Sequence, residues 1–384
     1  MRSEGTVTWA EIDLDAIDAN IRAFQRFTGP RVEIIAVVKA NAYGHGAVPV
    51  ARTSLQAGAT RLAVARLIEG IELRRAGLTA PILIMGYTPA DGVDQIVAHD
   101  LTPCPITAEF IQALSARALA LGRVVPIHLK VDTGLSRFGL LPEEILPFAQ
   151  SIQKLPGLRL EGLFTHFATA DSLDESYARK QLGIFKAVLG SLQAAGIEIP
   201  LLHVANTGIT MRYPEAHFNA IRPGIGIYGL PPSDEYPPAF ELRPALALKT
   251  RISRVRHLPA GTSISYGCTY ITPQEMPVGL ATVGYGDGLH RLLSNRGAVL
   301  VHGQRAPILG RVAMDNIILD LRGITDVEMN DEVVIIGSQG SETIRADEVA
   351  RQAETINYEV TTSLLPRVER VFLRGGSVVA VETL

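Results

Sequence analysis

Lys39 follows an apolar run, EIIAVV at residues 33 to 38, and opens a loop that sets Asn41, Tyr43 and His45 among glycines. A lysine at the end of a buried strand either snorkels its ammonium to water or is kept as an amine for nucleophilic chemistry. Other apolar runs end in the same way. LKVDTGLSRFG carries Lys130 and Arg137, LFTHFATAD carries His166, LLHVANTG carries His203, Asn206 and Thr207, and NAIRPGIGIYG carries Arg222 ahead of Gly224 and Gly226. Taken singly, Arg222 reads as an ion-pair partner, His166 as a core histidine and Thr207 as a helix cap. Five strand ends bearing polar groups of one flavour weaken those separate readings together.

The chemistry open to such a set is narrow. Thr207 offers a hydroxyl, and Gly224-Ile225 offers backbone N–H groups that a small anion can approach. A lysine amine facing an anion cradle suits pyridoxal 5'-phosphate, whose aldehyde needs an amine and whose phosphate needs an anchor. On this reading Lys39 carries the cofactor and Tyr43 helps to clamp its phosphate.

These residues need a scaffold that brings strand ends to one face. Apolar runs at 33–38, 61–65, 81–86, 101–106, 125–131, 158–164, 201–205 and 218–222 read as strands, with amphipathic stretches such as LIEGIELRRAG and AEFIQALSARALALG between them. Thr107 stands where it would cap the second of these helices. Eight alternating units in about 200 residues fit a closed (β/α)8 barrel of the TIM type, whose functional groups sit at the carboxyl ends of its strands. The proline-rich segment PPSDEYPPAFELRP at 231 to 244 reads as a linker. Beyond it, short runs rich in β-formers and turn signals indicate an all-β domain with little helix before about residue 344. The expected division is a barrel over 10–238 and a mainly β domain over 239–384, joined by a strand from residues 1–9.

The 384-residue chain has a formal net charge of -3, so it lacks the basic excess of a nucleic-acid binder. No run approaches the length of a membrane span, and the acidic N-terminus has no signal-like apolar core. Cys104 and Cys268 have no metal-ligand spacing, so no metal is expected and a reducing compartment fits. The expectation is a cytoplasmic protein.

AVVKANAYGHG, DTGLSRFG, THFATAD, RPGIGIYG, SYGCTY, VGYGDG, GRVAMDN and INYEV, in that order, resemble the motifs of the alanine racemases over essentially the whole chain. The resemblance implies a pyridoxal-phosphate isomerase that interconverts L- and D-alanine by two-base proton transfer and supplies D-alanine for peptidoglycan. It implies a homodimer with shared active sites. Lys39 would be one base and Tyr266, from the second subunit, the other. Arg222 would face the pyridine nitrogen, with His166 hydrogen-bonded to it from behind. Arg137 would contact the cofactor's phenolic oxygen and the substrate carboxylate. Lys130 falls at a position that carries a carbamate in many members. Tyr43, Thr207, Gly224, Ile225 and Tyr358 would hold the phosphate, with Asn206 beside them, and Met314 and Asp315 would enter the partner's substrate pocket.

Two departures stand out. Thr207 replaces the usual serine, and Leu289-His290 replaces a pair that is often aromatic-proline. Racemisation of serine, broader specificity, or a decarboxylase on a similar architecture are the competing readings. A decarboxylase is expected to offer the pyridine nitrogen an acidic partner instead of Arg222.

Overall fold

The structure, a computed structural model, describes residues 4 to 383. The described residues divide into two compact units, one built from residues 17–42 and 47–243, the other from residues 4–16, 43–46 and 244–383.

The first unit is a (β/α)8 barrel. Glu33–Val37 pairs in parallel with Arg61–Val64, which pairs with Ile82–Ile84, and Val125–Lys130, Leu158–Phe164 and Leu201–His203 form a second parallel run. The ring closes where Glu33–Val37 pairs with Ala220–Ile221 and where Asn206 bridges to Arg222. Seven of the eight apolar runs become strands. The run at 101–106 does not, because Pro103 and Pro105 have no N–H to give a ladder. It contributes a single bridge, Leu83 to Thr102, and a carbonyl, Pro103 O, that accepts from His128 N at 3.2 Å.

The helices between the strands follow the expected periodicity. Ala108–Ala120 begins at Thr107, whose hydroxyl accepts from Phe110 N at 3.3 Å, and Leu67–Arg75 occupies the LIEGIELRRAG stretch. The 231–244 segment has no regular element but packs on the barrel. Tyr236 donates its hydroxyl to Ala170 O at 2.6 Å and lies beneath the Arg212 guanidinium, while Phe240 meets Phe24 edge-on at 5.0 Å.

The second unit is organised by one ten-stranded sheet. Its central element is the 13-residue strand Leu246–Leu258, which pairs with Trp9–Asp13, Met276–Ala281 and Glu332–Gln339. The N-terminal strand therefore lies at residues 9 to 13, beginning where the expected 1–9 strand would end; residues 1 to 3 of that expectation lie outside the described residues. Trp9, the strand's first residue, is fully buried, with the Arg251 guanidinium 5.5 Å from its ring. Two short helices, Ala346–Gln352 and Asn357–Thr362, precede the last two strands of the sheet, Glu369–Arg374 and Ser377–Glu382.

Candidate active site

Lys39 leaves the Glu33–Val37 strand in an unusual conformation. Ala40, Asn41, Ala42 and Tyr43 all have φ between 50° and 53°, so the chain makes a left-handed turn without a glycine in it. Such backbone costs about 1–2 kcal/mol per residue for L-amino acids. Barrel side chains hold it in place. Glu69 accepts from Ala40 N at 2.5 Å while also accepting from Ala65 N and Arg66 N at 2.8 Å, and Asn41 Oδ1 accepts from Ala47 N at 2.6 Å. Glu69 was not singled out in the sequence, where it reads as an ordinary first-turn acid of a helix.

Burial, and then the charge of Arg137, pull the Lys39 ammonium below its ordinary value, against the opposing pull of Glu69. Arg137 sits exposed in a loop shaped by Asp132, whose carboxylate accepts from Gly134 N and Ser136 N at 2.9 and 3.0 Å. Lys130 is buried, with its Nζ 5.3 Å from the Phe138 ring centre and 5.8 Å from that of Phe164. Desolvation lowers its pKa to about 8, Arg137 and Arg222 adding to the effect. His166 is held well below the usual imidazole range by burial and by the cations Arg222, Lys130, Arg137 and Lys39, so it is neutral at pH 7.

Arg222 is buried by the ring closure. Its Nη1 donates to His203 Nδ1 at 2.9 Å and to His203 O, and its Nη2 donates to Thr165 O at 2.6 Å and Val204 O at 3.3 Å. Burial lowers its pKa to about 9, which still leaves it a cation at pH 7. The expectation that His166 hydrogen-bonds Arg222 from behind is corrected. His203 takes that place, because it ends a strand next to the one that leads into Arg222, whereas His166 lies beyond the end of Leu158–Phe164. Behind His203 stand His128 and Glu161, neither of them singled out in the sequence. The available signal was a histidine two places before Lys130, on the same face of its strand.

The loops after the last two strands meet at Thr207. Its Oγ1 accepts from Gly224 N at 3.1 Å and from Gly226 N at 3.3 Å, which leaves the hydroxyl proton free to be donated outward. The extra methyl relative to serine fits because residue 226 is glycine: a Cβ there would lie 2.8 Å from Thr207 Cγ2 and 2.7 Å from Phe24. Asn206 acts as a helix cap, its Oδ1 accepting from Ile209 N at 3.0 Å, and Ile225 opens a buried 3-10 turn.

In the second unit Tyr266 begins a tight turn and is 72% exposed, and Met314 is 52% exposed. Asp315 pairs with Arg367 Nη1 at 2.8 Å, and Arg367 Nε also donates to Asp287 at 2.7 Å, so the 314–315 loop is anchored by one guanidinium. The Tyr358 and Tyr43 rings lie 6.2 Å apart. Leu289 is buried, and His290 Nε2 is 3.4 Å from Ser363 Oγ.

Comparison with known proteins agrees over the whole length. The family description "Alanine racemase, N-terminal domain" matches residues 12–232, and "Alanine racemase, C-terminal domain" matches residues 245–372. The alanine racemase of Desulforamulus reducens is 48% identical over 367 residues, 95% of this chain and 98% of that protein. That of Desulfosudis oleivorans is 45% identical over 379 residues, covering 96% and 97%. The crystal structure of the Bacillus anthracis alanine racemase with bound L-Ala-P superposes with a TM-score of 0.94 at 41% identity, over 99% of this chain and 98% of that one. With both domains matched in order and identities this high over nearly the full length, the chain belongs to the alanine racemase family.

Proposed function

We propose that the protein interconverts L-alanine and D-alanine with pyridoxal 5'-phosphate as its cofactor. The observation that carries this reading is Lys39, a strand-end amine held below its ordinary value in one cationic field with Arg137, in which Lys130 and Arg222 also take part. The residues present fit that cofactor. Lys39 supplies the primary amine for its aldehyde. Thr207, Tyr43 and Tyr358 would supply hydroxyl donors and Ile225 an N–H donor for its phosphate, beside Gly224, whose own N–H is given to Thr207 Oγ1, and Arg222 would supply a fixed cation for the ring nitrogen. Once bound, the cofactor supplies an electron-withdrawing ring that makes the α-hydrogen of an amino acid acidic.

The chain's own groups do the rest. Burial and the Arg137 charge both disfavour the ammonium form of Lys39, so it accepts a proton nearer neutral pH than a solvated lysine. Racemisation needs a second base on the opposite face, and Tyr266 of the second subunit takes that role. Arg137 binds the substrate carboxylate. Lys130, with a pKa of about 8, carries a reactive neutral fraction suited to carbamate formation, and the modified group would buttress Arg137. Arg222 presents only N–H donors, so a ring nitrogen facing it stays unprotonated. That restrains charge withdrawal and disfavours transamination.

We infer a homodimer in which Met314 and Asp315 enter the partner's substrate pocket. Large side chains left exposed at Tyr266 and Met314 support it, since neither has a core to fill. The product D-alanine would serve cell-wall peptidoglycan, made in the cytoplasm; no helix among the described residues is long and apolar enough to cross a membrane.

A decarboxylase is disfavoured by Arg222, whose hydrogen bonds go to three carbonyls and one imidazole and to no carboxylate. Incubating the protein with L-alanine and following optical rotation and carbon dioxide tests the reading. Loss of rotation without gas evolution is expected; carbon dioxide released in step with the loss of rotation, leaving achiral ethylamine, or rotation retained without gas, would sink it. Serine in the same assay sets the limit of specificity.

A further inference from the structure

Arg222 lies at one end of a hydrogen-bond chain that runs through the barrel interior. Its Nη1 is 2.9 Å from His203 Nδ1, His203 Nε2 is 2.8 Å from His128 Nδ1, and His128 Nε2 is 3.1 Å from Glu161 Oε2. A guanidinium can only donate, so His203 Nδ1 must accept and the His203 proton must sit on Nε2. That proton is donated to His128 Nδ1, which places the His128 proton on Nε2, pointing at the carboxylate. Every link has one permitted direction, from the cation at the barrel mouth to the anion below.

Three features outside the polar atoms are arranged around this chain. The pairing of Val125–Lys130 with Leu158–Phe164 shifts register between Ile127 and His128, so that Ile127 opposes Leu160 and His128 opposes Gly162. Glu161 is the extra residue of that bulge, a device that re-aims a side chain. Residue 162 is glycine, and a Cβ there would lie 2.5 Å from His128 Cγ and Nδ1. Phe164 stacks on His203 at 4.8 Å and 15° between planes, and the Arg222 guanidinium lies 5.0 Å over the same ring. Glu161 is itself held by Arg61 and Arg159, each at 3.1 Å.

We propose that His128 and Glu161 are positioning residues for Arg222, locking His203 in the one tautomer that accepts the guanidinium N–H. The chain also sets a buried carboxylate against a buried cation without direct contact, which leaves the remaining face of Arg222 for the ring nitrogen of the cofactor. This consequence for catalysis rests on the function proposed above; the tautomer assignment does not.

The experiment has two arms. Selective 15N-histidine labelling of the wild-type enzyme should show His203 and His128 both as neutral imidazoles protonated on Nε2, with each signal identified by its loss on substitution. The second arm compares His128→Leu, which removes both links, with His128→Gln, whose amide can accept from His203 and donate to Glu161. His128→Leu should lower kcat roughly tenfold, leave KM for alanine within about twofold and raise transamination per racemisation turnover several-fold, and His128→Gln should restore most of each. Glu161→Gln, at the outer end of the chain, should shift the ratio in the same direction.

Protonation of wild-type His203 on Nδ1 would overturn the proposal even if no variant folds. An unchanged ratio in a folded His128→Leu enzyme that binds cofactor would overturn it too. Absence of racemisation in the wild type refutes the proposed function, whereas a wrong tautomer with normal racemisation refutes the relay alone.

Discussion

Thr207 Oγ1 accepts the Gly224 N–H at 3.1 Å, and this contact ties together the loops that follow the last two barrel strands. The hydroxyl oxygen is already committed to two backbone donors, those of Gly224 and Gly226, so its proton is the part left for an anion. Valine keeps the shape and removes both functions. Thr207→Val should weaken cofactor binding roughly tenfold, in line with about 1–3 kcal/mol for stranding buried donors. Equilibrium dialysis against pyridoxal phosphate checks it, and unchanged affinity would remove Thr207 from the phosphate site.

Lys130 is buried and Lys39 half-buried, and both amines have lowered pKa values, so both are candidates to capture an aldehyde. Lys39 lies just past its strand and opens the left-handed turn, whereas Lys130 is the last residue of its own strand and its Nζ is flanked by the rings of Phe138 and Phe164. Borohydride reduction of the loaded enzyme followed by peptide mapping should leave the pyridoxyl group on Lys39. A label on Lys130 would reverse the assignment.

Glu161 makes acid stability a readout of the barrel interior. The hydrogen bond from His128, with Arg61 and Arg159, lowers its carboxyl to about 2 against burial, from an ordinary 4.5. A depressed carboxylate contributes stability that is fully present above pH 4.5 and is lost as pH falls through about 2. After screening by solvent at its two arginines, the effect is on the order of 1–2 kcal/mol. Urea melts at pH 6 and pH 3.5 should show wild type losing more stability than Glu161→Gln over that interval. Equal losses would mean that the carboxylate is not depressed.

Tyr266 and Lys39 belong to different compact units, and the proposed dimer supplies each site with one residue from either chain. Lys39→Ala and Tyr266→Phe chains should each be inactive as homodimers. In a mixed dimer one site collects both lesions and the other keeps both intact residues. Random pairing of equal amounts makes half the dimers mixed, so co-expression should restore roughly a quarter of wild-type activity if the sites act independently. Purified mixed dimers no more active than either parent would refute shared sites.

Lys39, Lys130, Arg222 and Thr207 could be read from the sequence because each follows an apolar run at the point where a barrel strand must end, and period and polarity are local properties. The same logic located seven strands and failed at 101–106, where Pro103 and Pro105 leave only the bridge at Thr102. Tyr266, Met314 and Tyr358 carry no such local signal and were legible only through family motifs. What tertiary structure alone decided lies across the barrel. Ala40 to Tyr43 are ordinary L-residues, and only Glu69 and Asn41 reaching their neighbours' N–H groups explain a left-handed turn there. Likewise His203 rather than His166 meets Arg222, and Glu161 reaches His128, because closure of the ring and one shifted register set which side chains face each other. A sequence states what each strand carries; which residue stands opposite depends on pairings between segments dozens of residues apart, and those exist only once the barrel has closed.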